Sequence, residues 1–182
     1  KIFDEIFTLF TFENKYFEKF NLKATCIGHP IYYIKNQSNL FNKKYMIAFM
    51  PGSRLGEIKS LFPYYQLAYE HLLQTNLDYK IFIPTLPHLE NEILLRIKKW
   101  KIMTIVTTKK NEIEDCFLKT KKALVCSGTA SLEIAKRGIP QLIIYKFNIL
   151  TEFFASFLVK SKFANIINIL ENKMIIPELT NS

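Results

Sequence analysis

The sequence predicts an α/β domain built on a parallel sheet with helices on both faces. Three observations carry this. Short apolar runs alternate with longer segments of helical periodicity. The runs are apolar throughout rather than alternating with polar residues, as in strands covered on both faces. Two of them lead through small or charged turns into helical patterns, at Met50-Pro51-Gly52-Ser53-Arg54 and at Cys126-Ser127-Gly128-Thr129-Ala130-Ser131-Leu132-Glu133. An open α/β sheet presents its ligand-binding groups at such turns, at the carboxyl ends of its strands.

The elements follow in order. Phe12–Phe20 reads as a short helix with Phe12, Tyr16, Phe17 and Phe20 near one face, and Lys23–Ile27 as a short strand ending at Gly28-His29-Pro30. The polar stretch Gln37–Lys44 reads as a loop. Tyr45–Met50 is an apolar strand, and Ile58–Thr75 a helix with Leu61, Tyr65, Ala68 and Leu72 at helical spacing. Strand Tyr79–Pro84, helix Leu89–Trp100, strand Ile102–Val106, short helix Ile113–Thr120 and strand Ala123–Cys126 come next. Thr129–Arg137 is a helix closed by Gly138 at its carboxyl end, where a left-handed residue is wanted. Strand Pro140–Tyr145 and an aromatic-rich helix, Leu150–Lys160, complete the series.

The chain's 182 residues, 49% of them hydrophobic, with only 5 Gly and 7 Pro, suffice for a packed core and argue against disorder. The net charge of +9 favours anionic partners such as nucleotide, anionic lipid or nucleic acid. The lysine pairs at Lys43-Lys44, Lys98-Lys99, Lys109-Lys110 and Lys121-Lys122 lie at element ends, as on a solvated surface or a membrane-facing patch. No nucleic-acid motif accompanies them, so nucleic acid is not an expected partner. Cys26, Cys116 and Cys126 are odd in number and lack CxxC spacing, which points to a reducing compartment with neither a disulfide framework nor a zinc site. No apolar run approaches the ~20 residues that span a bilayer.

Arg54, at a strand-to-helix turn, offers a guanidinium fork suited to two phosphates; the alternative is a surface pair with Glu57. Gly52 and Ser53 shape that turn, with Ser53 a further phosphate donor. In the second turn Ser127, Gly128 and Thr129 precede a helix whose N-terminus favours an anion, while Ser127 or Thr129 could instead cap it. Glu133 stands one turn further on. It can accept from sugar hydroxyls or simply favour the helix dipole. Asn168 lies in an apolar run and needs partners, as does its neighbour Asn165. Lys146 ends the Pro140–Tyr145 strand as a candidate phosphate contact, and His29 ends another strand, either beside a cleft or at a hinge. The stripe Phe153, Phe154, Phe157, Leu158 and Phe163, with Lys160 and Lys162, reads as core packing or as an interfacial face.

Several of these features recur in one order: Phe12-Glu13 before a helix, Gly28-His29-Pro30, Pro51–Arg54 with Glu57, Ser127–Glu133, Tyr145-Lys146, Leu158-Val159-Lys160, Asn168 and Pro177-Glu178-Leu179. In that order and spacing the chain resembles the C-terminal part of the lipid-A-disaccharide synthase family, glycosyltransferases of bacterial outer-membrane synthesis. It differs in having Ile167 where the family has Pro and Asn181 where it has Gln, and family proteins are about twice as long.

The resemblance implies a Rossmann-like half of a GT-B glycosyltransferase. Residues 1–30 would be the tail of an N-terminal acceptor domain and a hinge; residues 31–182 would form the UDP-sugar donor-binding domain, without its closing C-terminal helices. The implied reaction moves 2,3-diacylglucosamine from its UDP form to 2,3-diacylglucosamine 1-phosphate, giving lipid A disaccharide 1-phosphate and UDP. Arg54 and Asn168 would be catalytic. Gly52, Ser53, Ser127, Gly128, Thr129, Glu133, Lys146 and His29 would bind substrate or nucleotide. No metal or other cofactor is expected, and the general base is expected outside this chain. The implied setting is cytoplasmic, peripheral on the inner leaflet. The alternatives are another GT-B enzyme such as a UDP-sugar epimerase, whose acidic and Gly-rich motifs are not seen, or a non-catalytic nucleotide-binding or membrane-docking module.

Overall fold

The computed structural model describes residues 3–33, 46–75, 77–126, 128–146 and 163–180. Ser127, the Gln37–Lys44 loop and the Leu150–Lys160 helix with most of its aromatic stripe lie outside the described residues. The chain falls into two compact units, Lys1–Lys35 and Asn36–Ser182.

The first unit is a small β-α-β arrangement. Strand β1 (Glu5–Thr8) pairs in parallel with β2 (Lys23–Cys26), and between them a 3-10 turn (Thr11–Glu13) runs into α1 (Asn14–Glu18). The expected helix over 12–20 is thus shorter, and β1 is an addition: Glu5-Ile6-Phe7-Thr8 is too short to announce a strand until β2 lies beside it. Glu13 opens the helical segment by accepting from the backbone N–H groups of Leu9 (2.9 Å) and Phe10 (2.8 Å).

The second unit carries, among the described residues, a six-stranded sheet whose paired strands all run parallel, in the order β5-β4-β3-β6-β7-β8. The strands are β3 (Met46–Met50), β4 (Lys80–Pro84), β5 (Thr104–Thr107), β6 (Thr120–Cys126), β7 (Gln141–Tyr145) and β8 (Glu178–Thr180). Between them come α2 (Leu55–Leu73), α3 (Glu90–Ile97), α4 (Lys110–Phe117), α5 (Thr129–Lys136) and α6 (Ile166–Glu171). Counted from β3, the order is 3-2-1-4-5-6, the doubly wound arrangement of dinucleotide-binding folds. The expected parallel sheet with helices on both faces is what the chain forms.

Side-chain alternation divides the core in two. Phe49, Ile81, Ile83, Leu124, Cys126 and Ile144 point to one face, where Ile58, Phe62 and Tyr65 of α2 and Ile93 of α3 cover them. Met46, Ala48, Phe82, Ala123, Val125 and Ile143 point to the other, against Cys116 and Phe117 of α4 and Ile134 of α5. Period-two alternation within runs apolar on both sides is what a two-sided sheet requires. On the first face Trp100 stacks on Tyr69 (centroids 4.4 Å apart, 6° between planes), and its Nε1 donates to Gln66 Oε1 at 2.7 Å.

Element ends differ from the periodicity in instructive ways. Helix α2 starts three residues earlier than the apolar spacing suggests, because Glu57 supplies the missing acceptor for its first turn. Strand β6 begins at Thr120 rather than Ala123. Lys121 and Lys122 are exposed there; the register with β3 shifts past Lys121, Thr120 and Lys122 still pair along the ladder, and Thr120 Oγ1 donates to the Cys116 carbonyl at 2.8 Å, ending α4. Neither α6 nor β8 is signalled by local pattern. β8 forms because Glu178 and Leu179 align with Ile143 and Ile144 of β7.

Candidate functional site

The sheet order reverses between β3 and β6. Crossovers leave these two adjacent strands in opposite directions, so a crevice opens above their carboxyl ends. The two loops singled out in the sequence are the loops that follow β3 and β6. The fold therefore brings the Arg54 turn and the Gly128 turn to the same place. Below them Tyr65, fully buried in α2, donates its hydroxyl to the Met50 carbonyl at 2.7 Å, with the Leu124 carbonyl 3.4 Å away. That hydroxyl tethers the base of both loops. Burial raises the Tyr65 pKa well above its ordinary value, so it remains a donor. In the sequence Tyr65 stands only as an apolar helix position, since its period is that of the core; the polar end of a tyrosine is the available signal.

In the first loop Gly52 adopts φ +109°. The Glu57 carboxylate folds back over it, accepting from Ser53 N–H (3.0 Å) and Arg54 N–H (3.2 Å). These two amides are thus occupied within the loop, while the exposed Ser53 and Arg54 side chains face solvent, where a ligand could meet them. Arg54 lies 3.6 Å from Glu57 with its side chain 66% exposed. This is the surface pair that the sequence offered as an alternative, and it is loose enough to release the guanidinium to an anion, because exposed ion pairs contribute little.

In the second loop Gly128 is the N-cap of α5, at φ +148° and ψ −165°, and no side chain among the described residues caps that helix end. Thr129, weighed as a cap, is instead the first helical residue. A Cβ on Gly128 would meet none of the described residues within 4 Å, its chain neighbours aside. Among the described residues, backbone conformation rather than crowding calls for glycine. Glu133 is held by Arg137 (3.0 Å), which also makes two 2.8 Å bonds to Glu114 and lies 4.5 Å over the Phe117 ring. Burial works against the Arg137 charge, but its bonds to Glu114 and Glu133 outweigh this, and its pKa is raised.

Lys146 follows the end of β7, at the carboxyl edge of the sheet. Asn168, expected at a substrate cleft, is 0% exposed. Its Nδ2 donates to the Ile176 carbonyl (2.7 Å) and to Glu178 Oε1 (2.6 Å), while its Oδ1 accepts from Ile175 and Ile176 N–H groups (2.8 and 2.9 Å). In this arrangement its amide holds the turn into β8 and presents nothing to solvent. His29 belongs to the first unit, where its Nδ1 accepts from Ile31 N–H at 3.0 Å and its ring stacks on Phe10. Among the described residues no cluster of three or more His, Cys, Asp or Glu is placed to hold a metal ion. Also among them, no helix is long and apolar enough to cross a membrane.

A doubly wound parallel sheet, with a glycine-capped helix N-terminus and an exposed arginine at its switch point, defines a Rossmann-like α/β domain. Comparison with known proteins is narrower. The chain belongs to the lipid-A-disaccharide synthetase family, whose profile matches residues 1–182. It is 30% identical to the lipid-A-disaccharide synthase of Rickettsia typhi, across 98% of this chain and 49% of that protein. The corresponding figures for the enzyme of Rhodospirillum centenum are 26%, 98% and 47%, and for that of Ruegeria pomeroyi 25%, 98% and 49%. The chain spans about half the length of these curated relatives.

Proposed function

We propose that this chain is the donor-binding half of a glycosyltransferase of lipid A synthesis. In the full arrangement, 2,3-diacylglucosamine passes from its UDP form to 2,3-diacylglucosamine 1-phosphate, yielding lipid A disaccharide 1-phosphate and UDP. One observation carries the reading: the two loops expected to hold a nucleotide diphosphate meet at the switch point of a doubly wound sheet, in a chain matched by this family along its whole length.

The acceptor's primary hydroxyl attacks the anomeric carbon, the bond to the UDP oxygen breaks, and the configuration inverts in one displacement. Negative charge grows on the diphosphate as that bond breaks. Arg54, swinging from Glu57, would meet this charge, aided by Ser53, by the Thr129 N–H at the start of α5 and by Lys146. Glu133 would accept from the ribose hydroxyls with the oxygen that Arg137 leaves open to them. The acceptor hydroxyl's proton would go to a base outside this chain. Asn168 would act through the turn it holds. The first unit would be the edge of the acceptor domain and a hinge. A parallel pair that is two-stranded among the described residues, with exposed Phe7 and Ile27, fits the margin of a larger sheet. The lipid substrates imply work at the inner leaflet, with membrane contact peripheral.

Calorimetric titration of the chain with UDP tests this reading. We expect binding that Arg54→Ala weakens by about 100-fold, as for loss of a charge-assisted donor to a diphosphate worth about 3 kcal/mol. A folded chain that binds no UDP, or a variant that binds as well as the parent, overturns it.

A further inference from the structure

A buried polar chain runs from the C-terminal segment to the glycine turn. Ser131 and Asn165 are each 0% exposed. The Ser131 hydroxyl donates to the Gly128 carbonyl at 2.8 Å and accepts from Asn165 Nδ2 at 2.8 Å. Asn165 Oδ1 in turn accepts from Ile167 N–H at 2.9 Å, which fixes which end of the amide faces the serine. The Asn165 and Ala164 N–H groups donate to the two oxygens of Glu178 (3.0 and 2.8 Å), and Asn168 donates to the same carboxylate. Every link is thus donor to acceptor, and the proton direction along it is set.

The consequence lies at Gly128. A glycine N-cap has little intrinsic preference for one peptide orientation. In a trans peptide the carbonyl and the following N–H point in opposite directions. Holding the Gly128 carbonyl toward the helix, by Ser131 N–H at 3.2 Å and by the hydroxyl, therefore aims the Thr129 N–H out of the α5 N-terminus, where an anion would sit. We infer that Asn165 and Ser131 are positioning residues for the diphosphate, acting through Gly128, and that the segment 164–178 tunes nucleotide affinity without touching the nucleotide. The inference rests on the nucleotide reading above and adds to it the device that aims the α5 amide.

The test compares Ser131→Ala, Asn165→Ala and the double variant of the whole chain by NMR titration with UDP and with uridine. The ratio of the two dissociation constants isolates the diphosphate contribution, which a general loosening of the fold would not change. Each single variant is expected to lower the UDP-over-uridine preference about five- to tenfold, as for one lost buried hydrogen bond. The double variant is expected to lower it no further, because both changes break one chain. An unchanged preference in folded variants overturns the inference and leaves the nucleotide site standing. A parent chain that binds no UDP overturns the site and the inference together. Should Asn165→Ala not fold, Ser131→Ala, which removes one hydroxyl, decides alone.

Discussion

At Gly52 the backbone holds φ +109°, and a Cβ built there would lie 3.0 Å from Glu57 Cβ and 3.2 Å from its Cδ. Both the dihedral and the crowding exclude a side chain, because the Glu57 carboxylate must close over the loop to serve the Ser53 and Arg54 amides. Gly52→Ala should therefore lower stability by about 1–3 kcal/mol, the usual range for a residue forced into such a conformation. Urea denaturation checks this, and an unchanged midpoint would show that the loop can rearrange. The same geometry sets the order of events at Arg54. Its backbone is fixed by Glu57 and its side chain is loosely paired, so the guanidinium can move while the turn stays in place.

Between elements, Arg137 joins α4 to α5. Its side chain is 4% exposed, and it spans Glu114 of α4 and Glu133 of α5 over the Phe117 ring. Both carboxylates are about one-third exposed, at 36% and 32%, so solvent screens the pairs below the strength of wholly buried ones. Arg137→Ala should still cost about 2–3 kcal/mol, since it removes the guanidinium that bridges two carboxylates and uncovers Phe117. It should also weaken UDP binding, because Glu133 loses the partner that fixes its rotamer. Thermal melts and titration of the same variant check both effects, and a variant of normal stability would refute the joining role. Ser131 and Asn165 do for α5 and α6 what Arg137 does for α4 and α5, with neutral groups.

Across the whole second unit, the sheet divides two apolar layers, and the side chains beneath the switch point are deeply enclosed. Burial pushes the Cys126 thiol up to about 12 from 9.0, and raises Tyr65 as well. The folded state then binds protons more tightly than the unfolded chain. This contribution to stability is complete below pH ~9 and is lost as pH rises toward ~12, at up to about 1.4 kcal/mol per unit. Melting temperature should fall steadily above pH 9, and Cys126→Ala should flatten that fall. A parent protein whose melting temperature is level from pH 9 to 10.5 would contradict this. Cys126 should also resist alkylation in the native protein, since a buried thiol offers no thiolate.

Local chemistry sets much of this molecule. Apolar runs such as Tyr79–Pro84 and the periodicity of Leu61, Tyr65 and Leu72 fix strands and a helix, because burial on a strand repeats every two residues and on a helix every 3.6. Gly52 and Gly128 mark the two turns, since other residues pay for positive φ. The ordered motifs carry the family. The sequence leaves open which strands become neighbours, because pairing is decided by crossover direction and by which side chains fit across the sheet. Only the tertiary structure sets β3 beside β6 and so brings Arg54 and Gly128 together. It alone makes strands of Glu5–Thr8 and Glu178–Thr180, which are too short to hold that form without their partners. It also assigns Asn168, Asn165 and Ser131 to one buried network, since the partner of a buried amide is whatever the fold delivers within 3 Å.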